Sequence, residues 1–168
     1  RALKQYLVTS SVSGTRCLQE EAIASAQGKA CTRGEAIPCA WSGHITHPDD
    51  IRSCSLTSLP IHFEYCTRDT PSRLAPLFEM LNATRRAVDR RDTWSAIEQL
   101  AVAVSNGRCT VKSAQLCPDG QKLAVCIEQK KLLGLRTRYL GFVYSVAERA
   151  IIGRIAEGKR ANAWSEAA

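Results

Sequence analysis

The sequence predicts an α+β protein in which small repeated turn and short-helix units precede two helices packed on a four-stranded antiparallel meander. Three observations predict this class. Glycines and acidic residues recur about every 15 residues within residues 1–68. Apolar residues then recur with helical spacing as far as residue 104, and from residue 109 their spacing drops to two. The hydrophobic fraction of 45% is typical of a folded protein.

A short repeat occupies the first part of the chain. Its most regular column, at steps of 14, 15 and 15 residues, consists of Gly14, Gly28, Gly43 and Ser58. Seven residues after each glycine comes an acid, namely Glu21, Glu35 or Asp50. Glycine tolerates the left-handed backbone of tight turns. We therefore expect each unit to contain a tight turn, a short extended piece and one helical turn.

The first residues align with the interior of a unit. Arg1-Ala2-Leu3 matches Arg16-Cys17-Leu18, which lies two to four residues after a column glycine. A short repeat needs neighbours to bury its faces. The alignment predicts that the chain begins inside a unit and is a fragment of a larger protein.

Two cysteines stand at one place in the third and fourth units, because Cys39 and Cys54 each lie four residues before the column position. A zinc knuckle is C-x-x-C-G, with two thiolates on a tight turn. Residues 10–62 resemble degenerate zinc-ribbon or zinc-knuckle repeats in which a hydroxyl replaces the second thiolate. His47 and His62 occupy equivalent places in successive units. The candidate zinc ligands are Cys39, Cys54, His47 and His62.

The eight cysteines are also consistent with two roles that need no metal. Their even number allows a disulfide framework if the protein is secreted. In a reducing cytosol they would instead be buried free thiols, because cysteine then behaves as a small apolar residue. We favour buried thiols in a cytoplasmic protein without a cofactor, then zinc, then disulfides.

The segment His44-Ile-Thr-His47 does not have the spacing of a catalytic metal site. Metal-binding histidines spaced H-x-x-x-H share one helix face, whereas this pair has two intervening residues and precedes a proline. A polar turn accounts for the segment better than a metal-dependent hydrolase. The chain also lacks a glycine-rich nucleotide loop and a nucleophile elbow. The sequence therefore predicts no catalytic residues.

Residues 71–156 are predicted to form a basic α+β domain that folds by itself. Its first helix begins at Ser72 and has an apolar face of Leu74, Leu77, Phe78, Leu81 and Val88. The second begins at the N-cap pair Asp92-Thr93 and ends at Asn106-Gly107. Strands are predicted over residues 109–117, 122–129, 135–146 and 150–156, and residues 157–168 are predicted to be a flexible tail.

The net charge of +7 lies entirely after residue 70. Residues 1–70 contain seven basic and seven acidic residues, whereas residues 71–168 contain sixteen and nine. Clustered basic residues are typical of surfaces that bind nucleic acid phosphates. The candidate contacts are Arg85, Arg86, Arg90, Arg91, Lys130, Lys131, Arg136, Arg138, Lys159 and Arg160.

These features predict a non-catalytic accessory module of a larger protein that contacts nucleic acid or docks a partner domain. The resemblance implies a host of one kind by analogy, since zinc-ribbon arrays often accompany enzymes that act on DNA or RNA. The alternative is a secreted, disulfide-stabilised effector-like domain. No apolar run approaches 18 residues, so no membrane partner is expected.

Overall fold

The computed structural model describes residues 6–65, 91–131, 135–160 and 163–166. These ranges contain four two-stranded antiparallel ladders, one α-helix and one five-stranded antiparallel sheet. The predicted fold class is therefore wrong, because the described chain is mostly β and has one helix beside a five-stranded sheet rather than two helices on four strands. The first predicted helix lies outside the described residues, together with Arg85, Arg86 and Arg90.

Four small β-hairpins, which we call the hairpin array, form residues 6–65. Each consists of two short antiparallel strands joined by a tight loop. The strands are β1 (Leu7–Thr9) and β2 (Arg16–Leu18), β3 (Ile23–Ala24) and β4 (Ala30–Cys31), β5 (Ile37–Pro38) and β6 (Ile45–Thr46), and β7 (Ile51–Ser53) and β8 (Pro60–His62). The expected helical turn is reduced to one i→i−3 turn per unit, regular enough to be a 3₁₀ helix at Pro48–Asp50 and Phe63–Tyr65.

The loops explain the glycine column. The backbone φ angles are +76°, +78° and +76° at the three glycines and +59° at Ser58. Each of these residues donates its N–H to a carbonyl three or four residues earlier, which closes the loop; Gly43 bonds Cys39 in this way at 2.9 Å. A side chain with a Cβ disfavours this left-handed backbone. Glycine thus recurs because every hairpin turns through the same conformation.

The sheet and the helix form the second part of the chain. The helix, α1 (Arg91–Ser105), matches the second predicted helix and packs on the sheet. The sheet order is β13-β12-β11-β10-β9. Its strands are β9 (Cys109–Leu116), β10 (Lys122–Lys131), β11 (Arg136–Ser145), β12 (Ala150–Arg160) and β13 (Ala163–Glu166).

Residues 157–160 and 163–166, which were expected to belong to a flexible tail, lie in strands. Strand β12 continues to Arg160, and β13 pairs with it in the register Gly158↔Trp164. This stretch has few β-branched or aromatic residues, so its intrinsic strand preference is weak. Tertiary packing supplies what propensity lacks, because Trp164 packs against a core cluster and Glu157 forms an ion pair with Arg138 of β11.

Both faces of the sheet are covered by protein. On the helix-side face, Ile97 and Ala101 of α1 pack against Val125, Phe142 and Tyr144. On the opposite, array-side face, the third and fourth hairpins pack against the sheet in a cluster of Cys39, Trp41, Cys54, Leu56, Ile61, Cys117, Ala124, Cys126, Val143 and Ala156. The sheet is therefore the middle of three layers, and the two predicted regions share one core.

Two close backbone approaches join the layers. Arg154 of β12 donates its N–H to the carbonyl of Thr57 at 2.7 Å. A Cβ at Gly153 would collide with that same carbonyl. The last loop of the hairpin array is thus hydrogen-bonded to a sheet strand.

Candidate functional site

The thiol of Cys39 lies inside the third hairpin loop. It accepts hydrogen bonds from the backbone N–H groups of Ser42 at 3.4 Å and His62 at 3.3 Å. Cys39 and Cys54 are each 1% exposed. Both thiols therefore face the protein interior at the turn positions where a knuckle would place them.

Serine takes the same place in the first two hairpins. The hydroxyl of Ser10 accepts from the N–H groups of Val12 and Ser13, and that of Ser25 accepts from Gln27 and Lys29. A serine hydroxyl commonly satisfies turn N–H groups in this way. The first three loops are therefore each closed by a side-chain oxygen or sulfur that accepts hydrogen bonds from loop N–H groups.

The two candidate histidine ligands are already engaged with the protein. His47 is completely buried, and its Nε2 lies 3.1 Å from the Ser11 hydroxyl oxygen. Its Nδ1 accepts the N–H of Asp49 at 3.1 Å, so His47 is the N-cap of the 3₁₀ turn. His62 Nδ1 lies 3.4 Å from a carboxylate oxygen of Glu64.

The four candidate zinc ligands are not brought together as a metal centre. In the described part of the chain, no group of three or more His, Cys, Asp or Glu side chains is placed to hold a metal ion. The seven cysteines of that part are all free thiols. Zinc binding by these four residues stays a prediction.

Burial keeps two of these thiols protonated. It raises the pKa of Cys126 to about 11. Burial, together with a hydrogen bond to the Asp119 carboxylate, also raises the pKa of Cys117. Thiolates, not thiols, are the nucleophiles and the metal ligands. These cysteines are therefore suited to packing rather than to catalysis.

Two of the recurring acids, Glu35 and Asp50, accept hydrogen bonds from the loop of the preceding hairpin. Glu35 accepts a hydrogen bond from the Ser10 hydroxyl at 2.7 Å, and Asp50 accepts one from the N–H of Ala26 at 2.9 Å. Tyr65 occupies the same place seven residues after Ser58 and packs against the core cluster that contains Cys39 and Trp41 of the third hairpin. The sequence pattern revealed the acids, but it did not reveal that Glu35 and Asp50 contact the preceding loops.

Glu35 is the most perturbed of these groups. The hydroxyls of Ser13 and Ser10 and the backbone N–H of Thr32 stabilise its ionised form and hold its pKa at about 2. The carboxylate is thus an electrostatically favoured link between the first and second hairpins.

The basic candidates fall into two groups. Arg91, Lys159 and Arg160 belong to α1 and β12, but their side chains lie outside the described part of the structure. Lys130, Lys131 and Arg136 are exposed. Arg138 is half-buried and pairs with Glu157, so it is committed to the fold.

Three exposed cations lie where β10 and β11 still pair with each other beyond the last ladder pairs that they make with β9 and β12. The β9 ladder ends at the pair Cys109↔Gln129, and the β11–β12 ladder ends at Tyr139↔Gly158. The β10–β11 ladder continues past both through Lys130↔Thr137 and Lys131↔Arg136. We call these four residues, Lys130, Lys131, Arg136 and Thr137, the basic ribbon.

One further cation borders the ribbon and was missed by sequence reasoning. Lys112 of β9 forms a 2.7 Å ion pair with Glu128, which raises the pKa of Lys112. It is the residue without a ladder partner at a register shift between β9 and β10, since Ser113 pairs with Cys126 and Val111 with Ile127. Such an irregularity has no sequence signal in an alternating strand.

The comparisons with known proteins add no relative. No protein family, curated protein or solved structure matches this chain. Within the described ranges, no helix is both long enough and apolar enough to cross a membrane.

Proposed function

We propose that this chain is a non-catalytic binding module that contacts the phosphate backbone of a nucleic acid through the basic ribbon. The observation that carries the proposal is the position of Lys130, Lys131 and Arg136, which are exposed and lie past the last ladder pairs of β10 with β9 and of β11 with β12. A two-stranded β-ribbon is one of the elements that fit the major groove of a duplex.

The charges of the ribbon are available to a ligand. The Lys130 side chain is 69% exposed, and its ammonium is 4.0 Å from Glu128. Lys131 and Arg136 have no ion pair with another described residue, and alternation along the strands places them on the face opposite Lys130. Cations on both faces of a ribbon can reach phosphates on both sides of a groove. We propose the cytoplasm as the compartment, because the described cysteines are free thiols.

The test is binding to fluorescent single-stranded and duplex DNA and RNA across a salt series. Phosphate contacts release counterions, so the affinity falls with salt. Replacing Lys130, Lys131 and Arg136 by alanine should weaken binding to unrelated sequences alike. It should also flatten the salt slope by about one unit per lost contact.

A charge-matched control separates the ribbon from the net charge. Arg16, Arg33 and Arg52 are exposed residues of the hairpin array, and replacing them by alanine removes the same three charges. This control should retain most of the affinity. Equal losses of affinity in both variants would mean that the ribbon acts only through the net charge of the chain. No binding to any nucleic acid at low salt would overturn the proposal and favour docking of a partner domain.

A further inference from the structure

The contacts between successive hairpins follow one rule. Two loop N–H groups donate to a carbonyl of the next hairpin, and in both cases that carbonyl lies two residues after the column residue of that hairpin. Ser11 donates to Ala30 at 2.8 Å, and Ala40 donates to Pro60 at 2.7 Å. Strand β1 contacts β4, and β3 contacts β6. The first strand of each of these hairpins thus packs beside the second strand of the next.

The residue seven positions after the column residue also contacts the preceding hairpin. Glu35 contacts the first loop and Asp50 the second, and Tyr65 packs against the cluster that contains Cys39 and Trp41 of the third. The two acids are each presented by an i→i−3 turn, in which Glu35 N–H bonds Thr32 and Asp50 N–H bonds His47. Each of these two interfaces therefore has a carboxylate acceptor on the later hairpin, and the donor on the preceding loop is a hydroxyl in one case and a backbone N–H in the other.

The first hairpin presents the same acceptor with no described loop against it. Glu21 lies seven residues after Gly14, and its N–H closes the same turn onto Leu18 at 3.0 Å. Its side chain is exposed and has no hydrogen bond or ion pair in the described ranges. A cavity of about 350 Å³ lies beside it, lined by Cys17, Glu20, Glu21, Thr32 and Arg33.

We propose that Glu21 and the outer edge of β2 form a docking surface for a further β-hairpin of the same build. The occupant presents a loop with a serine hydroxyl and free N–H groups to the Glu21 carboxylate, and its first strand lies beside β2. Continuity with the existing interfaces identifies this occupant, since the acceptor, the turn and the strand edge repeat those that hold the first two loops. The surface is distinct from the basic ribbon.

The test adds such a hairpin to the full chain. A second copy of residues 6–20 inserted between Gln5 and Tyr6 repeats the 15-residue step from Gly43 to Ser58. The loop of the inserted copy should be protected from amide hydrogen exchange. In this extended chain, Glu21→Gln should lower the folding equilibrium constant about ten-fold, a typical effect of losing a hydrogen bond to a charged group.

Matched variants make the result specific. Glu21→Gln in the original chain and Glu20→Gln in both chains should have no measurable effect, since Glu20 lines the same cavity without the spacing of the repeat. Alanine at the copied Ser10 should cause the same loss as Glu21→Gln and should not add to it. An unprotected loop on a folded host, or equal effects of Glu21→Gln in both chains, would overturn the proposal.

Discussion

At the residue scale, the most informative group is the carboxylate of Glu35. Its pKa of about 2 in the folded state lies below the ordinary value of 4.5. A depressed pKa means that the ionised carboxylate stabilises the folded state at pH values above its ordinary value. This contribution is lost as the pH falls from about 4.5 towards 2.

We therefore predict that Glu35→Gln lowers the free energy of unfolding at pH 7 and that the difference from the wild type shrinks as the pH falls through this window. Urea unfolding at several pH values measures both quantities. Glu20→Gln is the control, because its exposed carboxylate makes none of these hydrogen bonds. A difference that is constant from pH 7 to pH 2 would exclude the proposed electrostatic link.

The buried thiols and histidines illustrate how far spacing along the chain can predict a site. It placed Cys39, Cys54, His47 and His62 at equivalent positions, and the structure shows equivalent loop positions for the two cysteines. The structure also shows that Ser11 and the N–H of Asp49 engage both ring nitrogens of His47. Spacing cannot reveal such partners, because they depend on how neighbouring units stack.

At the element scale, the hairpin loops differ in what they face. Gly28 and Gly43 have nearly equal φ angles of +78° and +76°. A Cβ at Gly28 would meet nothing within 4 Å, whereas a Cβ at Gly43 would collide with the Asp119 carboxylate of the β9–β10 hairpin. The pair thus separates backbone strain from contact between the layers.

We predict that Gly28→Ala lowers the free energy of unfolding by about 1 kcal/mol, which is the cost of the left-handed backbone. Gly43→Ala should cost more, since the collision adds to the same strain. Thermal or urea unfolding of the two variants provides the measurement. Equal costs would mean that the third loop does not press against the sheet hairpin.

Strand propensity predicts the middle strands of the sheet but does not predict the edge strand β13. The alternating residues 122–129 predict a strand, and β10 forms over Lys122–Lys131. The residues of β13 do not alternate in this way. The strand forms because β12 has an edge with which it can pair and because Trp164 packs against a core cluster. The edge strand is therefore a tertiary effect.

At the scale of the whole molecule, the array-side face decides whether the sheet can stand alone. Ala124, Cys126, Val143 and Ala156 of the sheet pack against Trp41 and its neighbours in the hairpin array. Removing the hairpin array exposes these side chains to water, which costs about 25 cal/mol for each Å² of apolar surface.

We predict from this packing that residues 71–168 alone do not unfold cooperatively, in contrast to the expectation from sequence that this region folds by itself. The measurements are thermal unfolding by near-ultraviolet circular dichroism and the binding of a hydrophobic dye, which reports an exposed apolar face. The full chain is the control. A fragment as stable as the full chain would show that the layers fold independently.

The sequence by itself determined the features that arise from local chemistry. The glycine column predicted the tight loops, helical spacing predicted α1, and alternation predicted β9 to β12, because these patterns act through the backbone conformation of a few adjacent residues. The tertiary structure alone decided the stacking of the hairpins, the partners of His47 and Glu35, the edge strand β13 and the burial of both faces of the sheet. Those features depend on surfaces that meet across long stretches of chain, and no local pattern specifies which surface will be the partner.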